Sequence, residues 1–337
     1  MLSVAGLSGT VFASKLWQLW VSMGVLLGLA GGTTAVVLSA TVANRWFSQR
    51  RGLVMGVLAG SFAAGQLMFM PGIAWLVELH GWRIAMLPTL LSIAACGVAY
   101  ILLARDWPAD IGLPPCGADR VQAPPALDPR NAAAVTLAVL REGLGNRAFW
   151  VILGTFTICG LSTSGTIQQH FIPLCGDFGV TQVAAASLLA IMGVFNFVGT
   201  IASGWLTDRF DSRKLLAWYY GLRGLSLMWL PFSGFDMLGL TIFAIFFGLD
   251  FVATIPPTIK LAVQHFGPVK APIVFGWAFT GHQLGGALAA LATGVSRDAL
   301  ATYLPAFFLA GASCFIAVAA VFLLRDIRRA GGAVAAE

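Results

Sequence analysis

Charge is what this 337-residue sequence has least of: Asp, Glu, Lys and Arg together make up 10% of it, against 58% hydrophobic residues. Soluble domains carry about 25% charged residues. A chain of this length with so few charges cannot cover a water-facing surface, which excludes a soluble enzyme, a disordered tail and a fibrous repeat. The five cysteines, Cys96, Cys116, Cys159, Cys175 and Cys314, lie far apart with no C-x-x-C pair and no metal-ligand spacing. A disulfide-stapled fold and a zinc site are thereby excluded, and the thiols read as small apolar fillers. No G-x-x-x-x-G-K-[ST] loop is present, which argues against an ATP-driven pump. Neither a metalloprotease-type cluster nor a G-x-S-x-G element occurs, so the expectation is a protein that is not an enzyme and uses no cofactor or metal.

Long apolar runs are what remains. A membrane helix needs roughly 20 mostly apolar residues to cross ~30 Å of hydrocarbon at ~1.5 Å per residue. Nine stretches qualify: 18–43, 52–77, 84–104, 149–173, 181–206, 215–234, 237–260, 271–294 and 303–324. Runs this long, with internal Gly and Pro, are not barrel strands of ~10 alternating residues. Residues 2–14 are uncharged but short of a full span, and they lack the basic start of a cleaved signal peptide. The expected class is an all-α integral membrane protein.

Orientation follows from the bases. Sixteen of the twenty Lys and Arg residues fall on loops of one side, three (Lys15, Arg83 and Arg297) on the other, and Arg223 inside a span. The positive-inside rule makes the first side cytoplasmic, with the C-terminus inside. The net charge of +6 thus serves topology and calls for no nucleic-acid partner. Residues 105–147 are polar and Pro-bearing and separate three spans from six. The expected organisation is an incomplete N-terminal bundle over 1–104, a cytoplasmic central loop over 105–147, a six-helix bundle over 148–325 and a cytoplasmic tail over 326–337. Residues 131–142 suit a short amphipathic helix at the inner surface or a plain linker helix.

Three ionisable groups lie near mid-span: Arg223, Asp250 and His282. An isolated charge there costs at least ~2.5–3.5 kcal/mol, so such groups pair or face a water-filled cavity. Arg223 and Asp250 stand on consecutive helices at similar depth. Two readings stand: an ion pair locking two helices, or a substrate or proton site in which His282 titrates. Asn196, Gln283 and Thr254 add neutral hydrogen-bonding groups. Pro256 and Pro257, directly after Thr254, should break the helix and expose carbonyls. Gly24-x-x-x-Gly28, Gly56-x-x-x-Gly60 and the set Gly281, Gly285 and Gly286 place small residues on single faces, as helix packing requires.

Three motifs carry a family resemblance. Gly204-Trp-Leu-Thr-Asp208-Arg209-Phe-Asp-Ser-Arg213 resembles the loop G-x-x-x-D-R-x-G-R-R of the major facilitator superfamily, with Asp211 and Ser212 in place of the family's Gly and Arg. Trp46-Phe47-Ser-Gln-Arg50-Arg51-Gly52, running into Gly56, Gly60 and Gly65, is similar to a span junction in the monocarboxylate and oxalate-formate branch. Arg105-Asp106-Trp-Pro108-Ala-Asp110-Ile-Gly112 resembles the segment after that branch's sixth span. The resemblance implies a major-facilitator-like helical bundle with about nine full transmembrane helices, three plus six, instead of the family's twelve. The first two to three spans would precede residue 1. It implies a multi-pass protein of the plasma or inner membrane that moves a small solute, an organic acid, by alternating access, coupled to protons or a counter-solute, with the lipid bilayer as its surroundings. Asp250 and His282 would line the cavity, with Arg223 in support. Gly204, Asp208, Arg209 and Arg213 would form a gating loop, Asp208 accepting N–H groups at a helix N-terminus. The alternative is a non-transporting remnant or membrane interaction protein, which the missing spans favour.

Overall fold

The computed structural model describes residues 1–34, 42, 45–48, 69–118, 120–121 and 132–324. Expectations on Arg50, Arg51, the glycines from Gly52 to Gly65 and the tail beyond residue 324 lie outside the described residues. The described residues are helical almost throughout and contain no strand, only one isolated bridge. The chain divides into two units, Met1–Leu127 and Asp128–Glu337.

In the first unit α1 (Leu2–Val11) and α2 (Leu16–Gly32, with a π-helical turn over Trp20–Leu27) pack against each other. The contact is close because Gly6 has no side chain: a Cβ there would lie 2.9 Å from Leu27 Cγ and 3.0 Å from the Ser22 carbonyl. Gln18 Oε1 accepts the Ser14 and Lys15 amides at the start of α2. Helix 69–80 precedes α3 (Trp82–Leu103), and Arg83 at its start donates to the Ala13 carbonyl at 2.9 Å. Gly24 and Gly28 do not act as expected. A Cβ at either would meet nothing within 4 Å among the described residues.

Beyond α3 the polar segment folds back. Phe47 and Cys116 form the isolated bridge, with the Cys116 amide on the Trp46 carbonyl at 2.7 Å and the Ser48 amide on the Cys116 carbonyl at 3.0 Å. Arg45 pairs with Asp106 at 3.3 Å and lies over the Trp107 ring. Asp110 Oδ2 accepts the Trp107 amide at 2.8 Å. Two stretches of sequence some 60 residues apart, both singled out by their motifs, are therefore one structure. Cys116 and Cys96 are exposed rather than filling apolar gaps.

The second unit opens with α4 (Ala132–Leu144), within the expected central loop. It is followed by α5 (Arg147–Asp177), α6 (Gln182–Arg209), α7 (Ser212–Trp229), α8 (Met237–Asp250), α9 (Ile255–Leu300) and α10 (Leu304–Val321). Side chains cap the starts: Asn146, Thr181, Asp211 and Asp236 each accept an amide of the first turn. Helix α9 contains a reversal at Gly267, whose φ of 75° and ψ of 165° suit only a residue without Cβ. Five helices among the described residues are long and apolar enough to cross a membrane: Trp82–Leu103, Arg147–Asp177, Gln182–Arg209, Met237–Gly267 and Leu304–Val321.

Glycine sets the closest approaches in this unit. A Cβ on Gly160 would stand 1.9 Å from the His282 carbonyl oxygen, and one on Gly285 2.2 Å from that of Thr157, so α5 and α9 touch backbone to backbone. Gly199 of α6 faces Leu249 of α8 in the same way, at 1.8 Å. Gly224 of α7 faces the Gly311 carbonyl of α10 at 2.9 Å. Small residues permit this approach, and in a bilayer packing of this kind replaces the missing hydrophobic drive between helices. Phe149, Phe156, Phe171, Phe243, Phe247 and Phe307 fill the interior.

Candidate functional site

The site begins with the two prolines. Pro256 and Pro257 carry no N–H and cannot bond back four residues, so the chain between α8 and α9 runs as a turn over Phe251–Thr254. Shorter-range bonds replace part of the ladder: the Ala253 amide reaches the Asp250 carbonyl at 3.2 Å and the Ile255 amide the Val252 carbonyl at 3.0 Å. Carbonyls of this turn also take donors from neighbouring helices. Ser203 of α6 donates to the Ala253 carbonyl at 2.5 Å. Arg223 of α7 takes the Asp250 and Phe251 carbonyls with Nη2, at 2.7 Å and 3.3 Å.

Arg223 is the centre of the arrangement. It is fully buried, and its Nε donates to Asp250 Oδ2 at 2.6 Å. Its Nη1 faces Cys159 Sγ of α5 at 3.0 Å. The guanidinium lies 5.6 Å from the centre of the Tyr220 ring, and the Tyr220 hydroxyl donates to the Thr155 carbonyl at 2.7 Å. One cation thus joins three helices, donating to a carboxylate, two carbonyls and a thiol sulfur. A buried charge is tolerable only when it is paired and its donors are used, and here both conditions hold. Asp250 is less completely satisfied, because its Oδ1 is buried without a hydrogen-bond partner.

From Cys159 the polar groups continue outward. Thr254 Oγ1 lies 3.4 Å from the thiol. His282 of α9 stands next to this group, its backbone carbonyl against Gly160 of α5, and its Nδ1 lies 3.1 Å from Gln283 Oε1. The imidazole is stacked on Phe279 with ring centres 5.5 Å apart and packs on Phe156 at 5.1 Å. Asp250, Arg223, Cys159, Thr254, His282 and Gln283 therefore form one chain of polar groups that leads from full burial to the exposed Gln283. Such a chain can hold a proton or an anionic group inside an apolar bundle.

Of the residues expected at the site, Asn196 is not brought in. Its Oδ1 accepts the Thr200 hydroxyl one turn along α6 at 3.1 Å. Cys159 was missed, since a thiol spaced from every other cysteine reads as filler. The signal available was its neighbourhood, the run Cys159-Gly-Leu-Ser-Thr-Ser-Gly165, too polar for a lipid-facing span. Helix α5 adopts a π-helical turn over Leu161–Ile167 there, with the Ser162, Thr163 and Thr166 hydroxyls on carbonyls of the preceding turn.

The loop between α6 and α7 also differs from expectation. Asp208 is exposed in the last turn of α6, and the carboxylate that caps a helix is that of Asp211. Asp211 Oδ1 accepts the Arg213 amide at 2.9 Å and Oδ2 pairs with Arg213 Nη2 at 2.7 Å. The Arg213 side chain, its hydrogen bonds first among the causes, holds the Asp211 carboxyl below the usual carboxylate range. Arg213 Nη1 continues to the Leu324 carbonyl past the end of α10, at 3.1 Å. Arg209 lies over the Trp205 ring at 3.8 Å, and a Cβ on Gly204 would meet nothing within 4 Å. Lys260 of α9 donates to the Thr207 carbonyl. The capping carboxylate is thus the residue that departs from the family motif.

The family model described as Major Facilitator Superfamily matches residues 1–290. The chain is 27% identical over 320 residues to monocarboxylate transporter 13 of Rattus norvegicus, covering 93% of this chain and 68% of the relative. It is 27% identical over 317 residues to the uncharacterized MFS-type transporter YcxA of Bacillus subtilis, covering 89% and 70%. The structure of the Escherichia coli fucose:proton symporter FucP superposes with a TM-score of 0.58 at 15% identity, over 96% of this chain and 82% of that one. That likeness concerns the fold.

Proposed function

Because the chain belongs to the Major Facilitator Superfamily of membrane transporters, we propose that it moves a small organic acid across the plasma or inner membrane by alternating access, coupled to protons or to a counter-solute. The observation that carries this reading is the buried Arg223–Asp250 pair at the helix break, continued through Cys159 to His282. A guanidinium is the natural partner of a carboxylate, and an imidazole titrates near neutral pH. Similarity to proteins named monocarboxylate transporters supports the choice of solute class. Asp250 and His282 are the groups assigned to solute or proton binding, with Gln283 and Thr254 beside them and Arg223 holding Asp250 in place. Asp208, Gly204, Arg209 and Arg213 are assigned to the closing of the cytoplasmic side, with the C-terminus on that side.

Proteoliposomes of the purified chain, loaded with a pH-sensitive dye and given labelled lactate, pyruvate or oxalate, test the reading. Uptake above protein-free liposomes, lost in Asp250→Asn, is the expected result. Absence of uptake for all three acids by protein that remains folded and monodisperse would overturn it.

A further inference from the structure

Helix α4 is 13 residues long, about 20 Å at ~1.5 Å per residue, too short to cross ~30 Å of hydrocarbon. One of its faces is fixed to the second unit. Val139 is buried, and Gly143 fits against the Phe149 ring so closely that a Cβ would lie 2.7 Å from it. The Thr136 carbonyl accepts Trp277 Nε1 at 3.4 Å, and Glu142 pairs with Lys270 at 2.7 Å.

An adjoining face is not what a water-facing surface would carry. Leu137, Arg141 and Leu144, at i, i+4 and i+7, form one stripe, with Leu137 58% and Leu144 48% exposed. Trp150, at the start of α5, is exposed beside this stripe, tied to the end of α4 by its Nε1 bond to the Leu144 carbonyl at 2.9 Å. Arg141 and Arg147 are exposed, and neither has an acidic partner among the described residues. Four other bases outside the spans are paired with acids: Arg45 with Asp106, Arg213 with Asp211, Lys270 with Glu142 and Arg297 with Asp177. Exposed leucines, an amphipathic indole and two unneutralised guanidiniums on one corner match the boundary between acyl chains and headgroups. A guanidinium there suits a phosphate in fork geometry.

We propose that the α4–α5 corner is a binding site for anionic phospholipid, with Leu137, Leu144 and Trp150 in the acyl region and Arg141 and Arg147 on the headgroup phosphates. Helix α4 then lies in the membrane surface. Each base is expected to strengthen the preference for anionic over zwitterionic lipid about fivefold, so the two together give about twenty-fivefold.

Native mass spectrometry of the full chain, released from mixed phosphatidylglycerol and phosphatidylcholine membranes, reads the preference directly. The wild-type chain should retain phosphatidylglycerol in excess, and Arg141→Gln/Arg147→Gln should lose most of that excess. Arg141→Lys/Arg147→Lys should keep part of it, and Lys214→Gln, an exposed base elsewhere, should leave it unchanged. All three side chains face outward, so monodispersity and helicity should match the wild type. No preference in the wild type, a preference kept by the Gln pair, or an equal loss in Lys214→Gln would each overturn the site.

Discussion

Arg223 holds Asp250 twice: Nε takes its carboxylate at 2.6 Å, and Nη2 takes its backbone carbonyl at 2.7 Å. The carbonyl is one of those at the break before Pro256 and Pro257, where the regular ladder stops. The same guanidinium therefore neutralises a buried carboxylate and satisfies backbone that the broken helix leaves open. Pair and helix break are one arrangement. A salt bridge of this kind adds little net stability over an apolar replacement, but losing one partner leaves the other charge exposed to the full cost of burial.

From this follows an unequal pair of effects. Asp250→Asn and Arg223→Gln should each destabilise the purified protein by about 3–5 kcal/mol, the range for breaking a buried pair. Arg223→Gln should be the worse, because it also removes a donor from the Asp250 carbonyl and strands that of Phe251. The double substitution should recover part of the loss. Thermal unfolding followed by detergent-phase chromatography gives the order, and strictly additive losses would show that the residues act apart.

Glycine substitutions should divide sharply by position. Gly160→Ala and Gly199→Ala would place a methyl group 1.9 Å and 1.8 Å from a neighbouring carbonyl oxygen, so the helices must separate along their length. Folded yield should fall severely for both. Gly24→Ala and Gly204→Ala meet nothing within 4 Å among the described residues and should be tolerated. Equal yields across the four would contradict the helix approach described.

Much of this was legible in the sequence, for definite reasons. Apolar runs of full span length force helices because a bilayer offers no partner for open backbone. Arg223 and Asp250 could be paired because unpaired charges at that depth are too costly, and Pro256 and Pro257 marked the break. The small-residue pattern was less reliable: Gly281, Gly285 and Gly286 pack as expected, while Gly24 and Gly28 meet no neighbour among the described residues. Spacing tells which residues share a face but not whether another helix covers it. Cys159 could not be found from spacing at all, since its partners come from α7 and α9. Asp208 and Asp211 lie three residues apart, and only the end point of α6 decided which of them caps α7.

Acid should weaken the α6–α7 turn through Asp211. Its carboxyl is held below the ordinary value by Arg213, so the folded state binds its proton less readily than the unfolded state. That stabilisation is complete above the ordinary carboxylate range, about 4, and is lost as pH falls from there through the depressed folded value. Asp211→Asn should flatten the acid limb of the melting-temperature profile without changing its course above neutrality. An acid limb identical in both proteins would remove Asp211 from that role.

Sidedness gives the last prediction, and the structure fixes how it must be tested. The chain reverses near Gly179, Phe235 and Ala301, which have positive φ, and on the opposite ends of the helices near Asp211 and Gly267. With bases concentrated on the second set, Lys214 belongs on the cytoplasmic side and Asp298 outside. Both are exposed. A cysteine-free background is the wrong host, because Cys159 is a partner of Arg223 and its removal would disturb the pair. Cys159, Cys175 and Cys314 are buried and should be kept, whereas the exposed Cys96 and Cys116 should be replaced by Ser. In that background a membrane-impermeant maleimide applied to intact cells should label Asp298→Cys, and label Lys214→Cys only after permeabilisation. Labelling of Lys214→Cys in sealed cells, with Asp298→Cys protected, would invert the topology, and with it the placement of the α4–α5 corner on the cytoplasmic leaflet.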